Sequence, residues 1–215
     1  MDANVIKYID ILIDRYTQLI TCKEDIIMAY EILEEAFSKD RKLLVCGNGG
    51  SASDSEHIVG ELMKEFKLKR KVYAYLAEAM KAIDPEMGVT LAENLQGALP
   101  AICLTGHSSL TTAFMNDANA DLVFAQQVNG YGRANDVFMG ISTSGNSKNV
   151  CYAAITAKAK GMKLIGLTGA NSSKMTLLCD CCIRVPETET YKIQELHLPV
   201  YHCLCMMLED HFFGA

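Results

Sequence analysis

A run of four apolar residues, Leu43-Leu-Val-Cys46, passes straight into Gly47-Asn-Gly-Gly50 and then into Ser51-Ala-Ser-Asp-Ser-Glu-His-Ile-Val-Gly-Glu61, which reads as helix. Unbroken apolar residues suit a strand covered on both faces, the kind found in parallel sheets. Gly47, Gly49 and Gly50 allow close backbone approach and positive φ. The free amides of the following helix point into that turn with the positive end of the helix dipole, so an anion such as phosphate is its natural occupant, and Ser51 adds a hydroxyl. His57 and Glu61 fall four residues apart on one face of the same helix. A phosphate hook beside a His/Glu pair points to phosphosugar chemistry.

The rest of the chain repeats the joint. Strand-like runs at Ala101–Thr105, Asp136–Ser142, Lys163–Thr168 and Cys182–Val185 alternate with helix-like segments at Ser109–Val128, broken around Asn116–Ala120, at Val150–Lys160, at Lys174–Leu178 and at Tyr191–Phe213. That spacing predicts right-handed βαβ units and a parallel sheet with helices on both faces. Two helices precede the first strand. One spans Asn4–Leu19 with Val5, Ile6, Ile9, Leu12, Ile13 and Tyr16 on a single stripe; the other is opened by Thr21-Cys-Lys-Glu24 read as a capping box and runs to about Phe37. Lying outside the β/α alternation, this pair is expected to bury its stripe against a partner subunit. Glu65–Leu99 holds two helix-like pieces, Val72–Ala82 and Met87–Gln96, and reads as an inserted cap on a single domain covering residues 1–215.

Half of the 215 residues are hydrophobic and the formal charge is −6. The length suits one sizeable core, and the acidic balance argues against a nucleic-acid partner, which needs a basic face. The one basic run, Lys64–Lys71, reads as a solvated surface segment. Nine cysteines, odd in number and set in apolar contexts without a secretory signal pattern, predict core thiols in the reducing cytoplasm. No apolar run reaches membrane-spanning length. Gly47-x-Gly49-x-x-Ala52 fits the dinucleotide fingerprint poorly, so no nucleotide cofactor is expected.

A second loop, Ser142-Thr-Ser-Gly-Asn-Ser147, again follows a strand and precedes a helix, and packs four hydroxyls into six residues. An N-capping serine accounts for one or two of them; a neutral phosphate cradle accounts for all. Together, Cys46-Gly-Asn-Gly-Gly-Ser-Ala-Ser-Asp-Ser-Glu-His57, Ile141-Ser-Thr-Ser-Gly-Asn-Ser-Lys-Asn-Val150 and Ile193-Gln-Glu-Leu-His-Leu-Pro-Val-Tyr-His202-Cys-Leu-Cys resemble the sugar-isomerase (SIS) domain family, and within it the phosphoheptose isomerases. The match covers nearly all of the chain apart from Glu65–Leu99. It implies an α/β fold, a three-layer αβα sandwich with a five-stranded parallel sheet, usually as a homotetramer. The implied reaction converts sedoheptulose 7-phosphate to D-glycero-D-manno-heptose 7-phosphate through an enediol.

The resemblance also assigns roles. Ser142, Thr143, Ser144 and Ser147 would bind the phosphate, Asn48, Gly49, Gly50 and Ser51 would close over the substrate, and Asn116 with Asp117 would touch the sugar. Glu61 would be the general base and His202 the acid, with a zinc ion among His57, Glu61, Gln194 and His202. Gln194 to His202 spans about 12 Å of straight helix, too far to share one ion easily, so Pro199 is expected to kink the helix or begin its regular part. A non-catalytic relative that binds a sugar phosphate or a replication initiator is the alternative, disfavoured because Glu61 and His202 are both present.

Overall fold

The computed structural model describes residues 3–214. Among them, five strands form one parallel sheet: β1 (Leu43–Cys46), β2 (Ala101–Cys103), β3 (Val137–Ile141), β4 (Lys163–Thr168) and β5 (Cys181–Arg184), in the order β2-β1-β3-β4-β5. Register follows from the apolar runs: Leu43 stands beside Ala101 on one side and Val137 on the other, and Ile165 beside Met139 and Cys181.

Period two divides the core. Leu43, Val45, Val137, Met139, Ile141, Ile165, Leu167 and Ile183 face one layer, made by α1 (Ala3–Arg15), α2 (Lys23–Ser38), α3 (Gly50–Met63) and the long α10 (Thr190–Phe213). Leu44, Cys46, Phe138 and Leu164 face the other. There the packing comes from α7 (Val123–Tyr131), α8 (Lys148–Ala159) and Met175 of α9 (Lys174–Leu178), α6 (Ser108–Asp117) preceding them. The three-layer αβα sandwich is therefore present. All nine cysteines are free, and burial raises the thiols of Cys22, Cys46, Cys179, Cys181, Cys203 and Cys205 above their ordinary range, as core thiols require.

Several local expectations are corrected. Helix α1 ends at Arg15, and a 3₁₀ segment, Thr17–Cys22, continues directly into α2. Thr21 is therefore already inside a helical turn, and its hydroxyl donates to Gln18 O at 3.1 Å instead of capping α2. Most of the apolar stripe of α1 is taken by the chain's own core, Val5, Tyr8, Ile9 and Leu12 being buried in the layer that contains α10, while Ile6 of that stripe stays exposed. Pro199 lies within α10, which runs without a break from Thr190 to Phe213, so the regular helix does not begin there.

The segment between α3 and β2 forms a hairpin of α4 (Ala74–Ile83) and α5 (Pro85–Asn94), joined at its base by an antiparallel bridge between Lys71 and Gln96. Of these two helices only Gly88 is buried. Its absent side chain explains the close approach: a Cβ there would lie within 2.6 Å of the backbone of Met80 and Lys81. Asp84 caps α5 by accepting from the amides of Glu86 and Met87, with Pro85 at the first helical position.

Candidate active site

In an open α/β sheet, ligands collect beyond the carboxyl ends of the strands at the point where strand order reverses. Here that point lies between β1 and β3, and each of these strands empties into one of the two loops singled out in the sequence. After β1, Gly49 adopts φ +56°, and a Cβ on Gly47 would come within 2.5 Å of Ser51 O, so a side chain at either position would disturb the turn. After β3, Gly145 takes φ +63° and its amide donates to Ser142 O at 2.9 Å. The loops are tied together by Asn48 and Asn149, whose amide groups exchange two hydrogen bonds of 2.9 Å.

Ser147 occupies the N-cap position of α8 but makes no capping bond; its hydroxyl meets that of Ser142 at 2.9 Å. The Ser144 hydroxyl accepts from the Asn146 amide at 3.2 Å. Thr143 and Ser144 open onto a cleft shared with Gly169, Ser172 and Thr190. Ser51 is buried at the start of α3, packed close against Gly47. Gln194 reaches this turn from α10: a Cβ on Gly50 would lie 2.7 Å from its Nε2.

Further along α3 a second group of side chains gathers. His57 Nε2 lies 3.0 Å from Glu61 Oε1, as their four-residue spacing anticipated. His57 Nδ1 lies 3.0 Å from the hydroxyl of Tyr201, which in turn donates to Asp54 Oδ1 at 3.2 Å. His202 packs edge-on against His57, ring centroids 4.9 Å apart, and lies tilted against Phe66 at 5.3 Å. Burial and then the neighbouring His57 lower the pKa of His202, the Glu61 carboxylate opposing them. Burial raises Asp54, while burial and Asp54 together raise the Tyr201 phenol, which therefore keeps its proton.

Two atoms of this group are buried without a hydrogen-bond partner among the described residues, Glu61 Oε2 and His202 Nε2. The nearest cation to the former is Lys64, at 3.7 Å. Buried polar atoms ordinarily find partners, so an orphaned pair in one cluster marks a place where something else binds. Two imidazoles and a carboxylate are the donor types that zinc prefers, but among the described residues no three His, Cys, Asp or Glu side chains are placed to hold a metal ion together. Gln194 is aimed at the glycine turn, and Asn116 and Asp117 stand exposed at the end of α6, bonded to each other at 2.8 Å.

One residue corrects the reading of Lys64–Lys71 as wholly solvated. Arg70 is buried, its guanidinium donating to Glu61 O at 2.9 Å, Leu62 O at 2.8 Å and the buried Glu209 carboxylate at 2.8 Å. Glu209 also accepts from the amides of Phe66 and Lys67. The pair thus satisfies carbonyls at the end of α3, where helices leave them free, and fixes the backbone that carries Glu61. Tyr201 and Asp54 were likewise missed. Asp54 stands three residues before His57, which is a legible helix-face spacing, but nothing local marks Tyr201, whose partner lies 147 residues away.

The pattern that defines the family described as SIS domain matches residues 7–97 and 77–169. The chain is 37% identical to the phosphoheptose isomerase of Rhodospirillum rubrum over 197 residues, covering 92% of this chain and 91% of that one. It is 39% identical to that of Helicobacter pylori strain P12, covering 88% and 85%. Solved phosphoheptose isomerases from Neisseria gonorrhoeae (31% identity, TM-score 0.70, 94% and 98% covered) and Francisella tularensis (27%, 0.75, 98% and 100%) share the fold.

Proposed function

Because the chain belongs to the SIS domain family and within it to the phosphoheptose isomerases, we propose that it interconverts sedoheptulose 7-phosphate and D-glycero-D-manno-heptose 7-phosphate. The observation that carries the reading is the meeting of His202, from α10, with His57 and Glu61 on α3, the helix whose first turn closes the glycine loop. Aldose–ketose isomerisation moves a proton between C1 and C2, so one group takes it from carbon while another serves the oxygens. Glu61 is the base, its Oε2 unencumbered by any hydrogen bond. His202, whose lowered pKa favours the neutral imidazole, exchanges a proton with the sugar oxygens. Ser142, Thr143, Ser144 and Ser147 receive the phosphate together with the amides at the start of α8; Asn48, Gly49, Gly50 and Ser51 close from the other loop, and Asn116 and Asp117 bind hydroxyls.

A zinc ion fits the donor types of His57, Glu61 and His202, and the two orphaned atoms support it. When bound, it would polarise the sugar oxygens and favour the enediolate. Gln194 and His202 are eight residues apart on an unbroken helix, about 12 Å, so one chain would not bring both to the same ion, and Gln194 is aimed at the Gly50 turn instead. Along α3 the step from Gly50 to Glu61 is about 16 Å, which favours sites assembled between chains of a homotetramer. Exposed Ile6 and Ile11 on α1 give that assembly apolar surface. Among the described residues no helix is long and apolar enough to cross a membrane, and we place the enzyme in the cytoplasm, where nine free thiols persist.

Incubating the protein with a panel of ketose and aldose phosphates, and resolving the isomers formed, tests the reading. Turnover of the seven-carbon substrate above the five- and six-carbon ones is expected; turnover of none would overturn it. Metal analysis of parent, His57→Gln and His202→Asn tests the zinc separately, with loss of stoichiometric zinc expected in both variants.

A further inference from the structure

We propose that Tyr201 and Asp54 are positioning residues that hold His57 in the tautomer carrying its proton on Nδ1, so that Nε2 is the nitrogen presented to Glu61. A phenol has one proton to give. Tyr201 directs it to Asp54 Oδ1 at 3.2 Å, which leaves only lone pairs on the hydroxyl to face His57 Nδ1, 3.0 Å away. That contact is a hydrogen bond only if Nδ1 is the donor. The ring is also held by packing: Tyr201 is 2% exposed, and the His57, Tyr201 and His202 rings meet pairwise edge to face at 4.9–5.5 Å.

The consequence falls on the other nitrogen. With Nδ1 protonated, a neutral His57 directs the Nε2 lone pair at Glu61 Oε1, 3.0 Å away. Two acceptors at that distance attract only when a positive centre, a shared proton or a metal ion, lies between or beside them. Neighbouring Glu61 Oε2, whose one nearby cation is Lys64 at 3.7 Å, and His202 Nε2 are buried without a hydrogen-bond partner among the described residues, which points the same way. Outer groups that fix a ligating histidine's tautomer typically change metal affinity by about 10–100-fold when removed. The arrangement joins α3 to α10 across residues 147 apart in sequence, so it orders the base's neighbour through the tertiary fold.

The inference rests on the isomerase reading only for its kinetic consequence, and its main test needs no substrate. In protein labelled with ¹⁵N in its five histidines, long-range proton–nitrogen correlation at pH 8 reports each tautomer, and His57→Gln identifies the His57 signal. The parent is expected to show His57 protonated on Nδ1. Tyr201→Phe, which keeps the ring and removes the hydroxyl, is expected to lose that signature, to hold zinc about 10–100-fold less tightly in chelator competition, and to lose kcat with little change in KM. Asp54→Ala leaves His57 Nδ1 as the acceptor for the tyrosine proton, so it should move the proton to Nε2; it decides the matter should Tyr201→Phe fail to fold. A parent His57 protonated on Nε2 overturns the proposal, as do variants that lose melting temperature while the tautomer stays on Nδ1. If the tautomer responds as expected but the parent turns over no sugar phosphate, the positioning pair stands and the isomerase reading falls.

Discussion

Replacing Arg70 by methionine tests whether the ion pair behind Glu61 is what holds the end of α3. The side chain is wholly buried, and its loss leaves the Glu61 and Leu62 carbonyls without these donors and Glu209, 1% exposed, with only the Phe66 and Lys67 amides. Removing one partner of such a pair costs about 3–5 kcal/mol, because an uncompensated charge stays buried. Against a typical total of about 5–15 kcal/mol, the variant should fold but unfold at far lower urea. Phe213, whose ring lies 4.9 Å from the guanidinium, loses its cation and adds a smaller term. The double variant Arg70→Met/Glu209→Leu removes both charges, so it should lose clearly less than the sum of the single losses, the Phe66 and Lys67 amides and the Glu61 and Leu62 carbonyls being the residual deficit. Urea unfolding of the four proteins, followed by circular dichroism, gives the cycle. A loss below about 1 kcal/mol for Arg70→Met, or strict additivity in the double variant, would refute the reasoning.

Ser144→Ala should raise the KM for the sugar phosphate by about 10- to 100-fold, the worth of a hydrogen bond to a charged group of about 1.5–3 kcal/mol, with the unfolding midpoint little changed; unaltered binding would misplace the cradle. His197, completely buried, has its pKa pushed down to about 4 by burial. Its unfolded form binds a proton more readily, so its contribution is complete above pH 6.5 and is lost as pH falls towards 4, by up to about 3 kcal/mol. Urea midpoints across that range should show the decline, and His197→Gln should flatten it.

Elements governed by local pattern were legible. Lys163–Thr168 and Lys174–Leu178 form the strand and helix their sequences indicate, because an unbroken apolar run suits a strand buried on both faces and Ser173 caps the short helix with a reciprocal bond to Thr176. The two loops at the reversal of strand order were legible for the same reason, their glycines and hydroxyls being consecutive. What escaped is long-range. Arg70 belongs to a basic run and looks solvated until Glu209, 139 residues on, supplies its counter-charge. The bond of Tyr201 to Asp54 is equally invisible along the chain. Thr21 shows the opposite failure: a good capping pattern is overridden because the preceding 3₁₀ turn already occupies the position.

The acid–base roles are tested most directly by placing sedoheptulose 7-phosphate with the protein in deuterated water and following product and label by NMR. An enediol mechanism with Glu61 as base predicts a heptose 7-phosphate carrying deuterium at C2, formed by the parent and slowed about 10²–10⁴-fold in Glu61→Gln, which keeps size and most hydrogen bonding. Isomerisation without solvent deuterium would favour direct hydride transfer, and an undiminished rate in Glu61→Gln would contradict the account, leaving the glutamate as only a helix-face partner of His57.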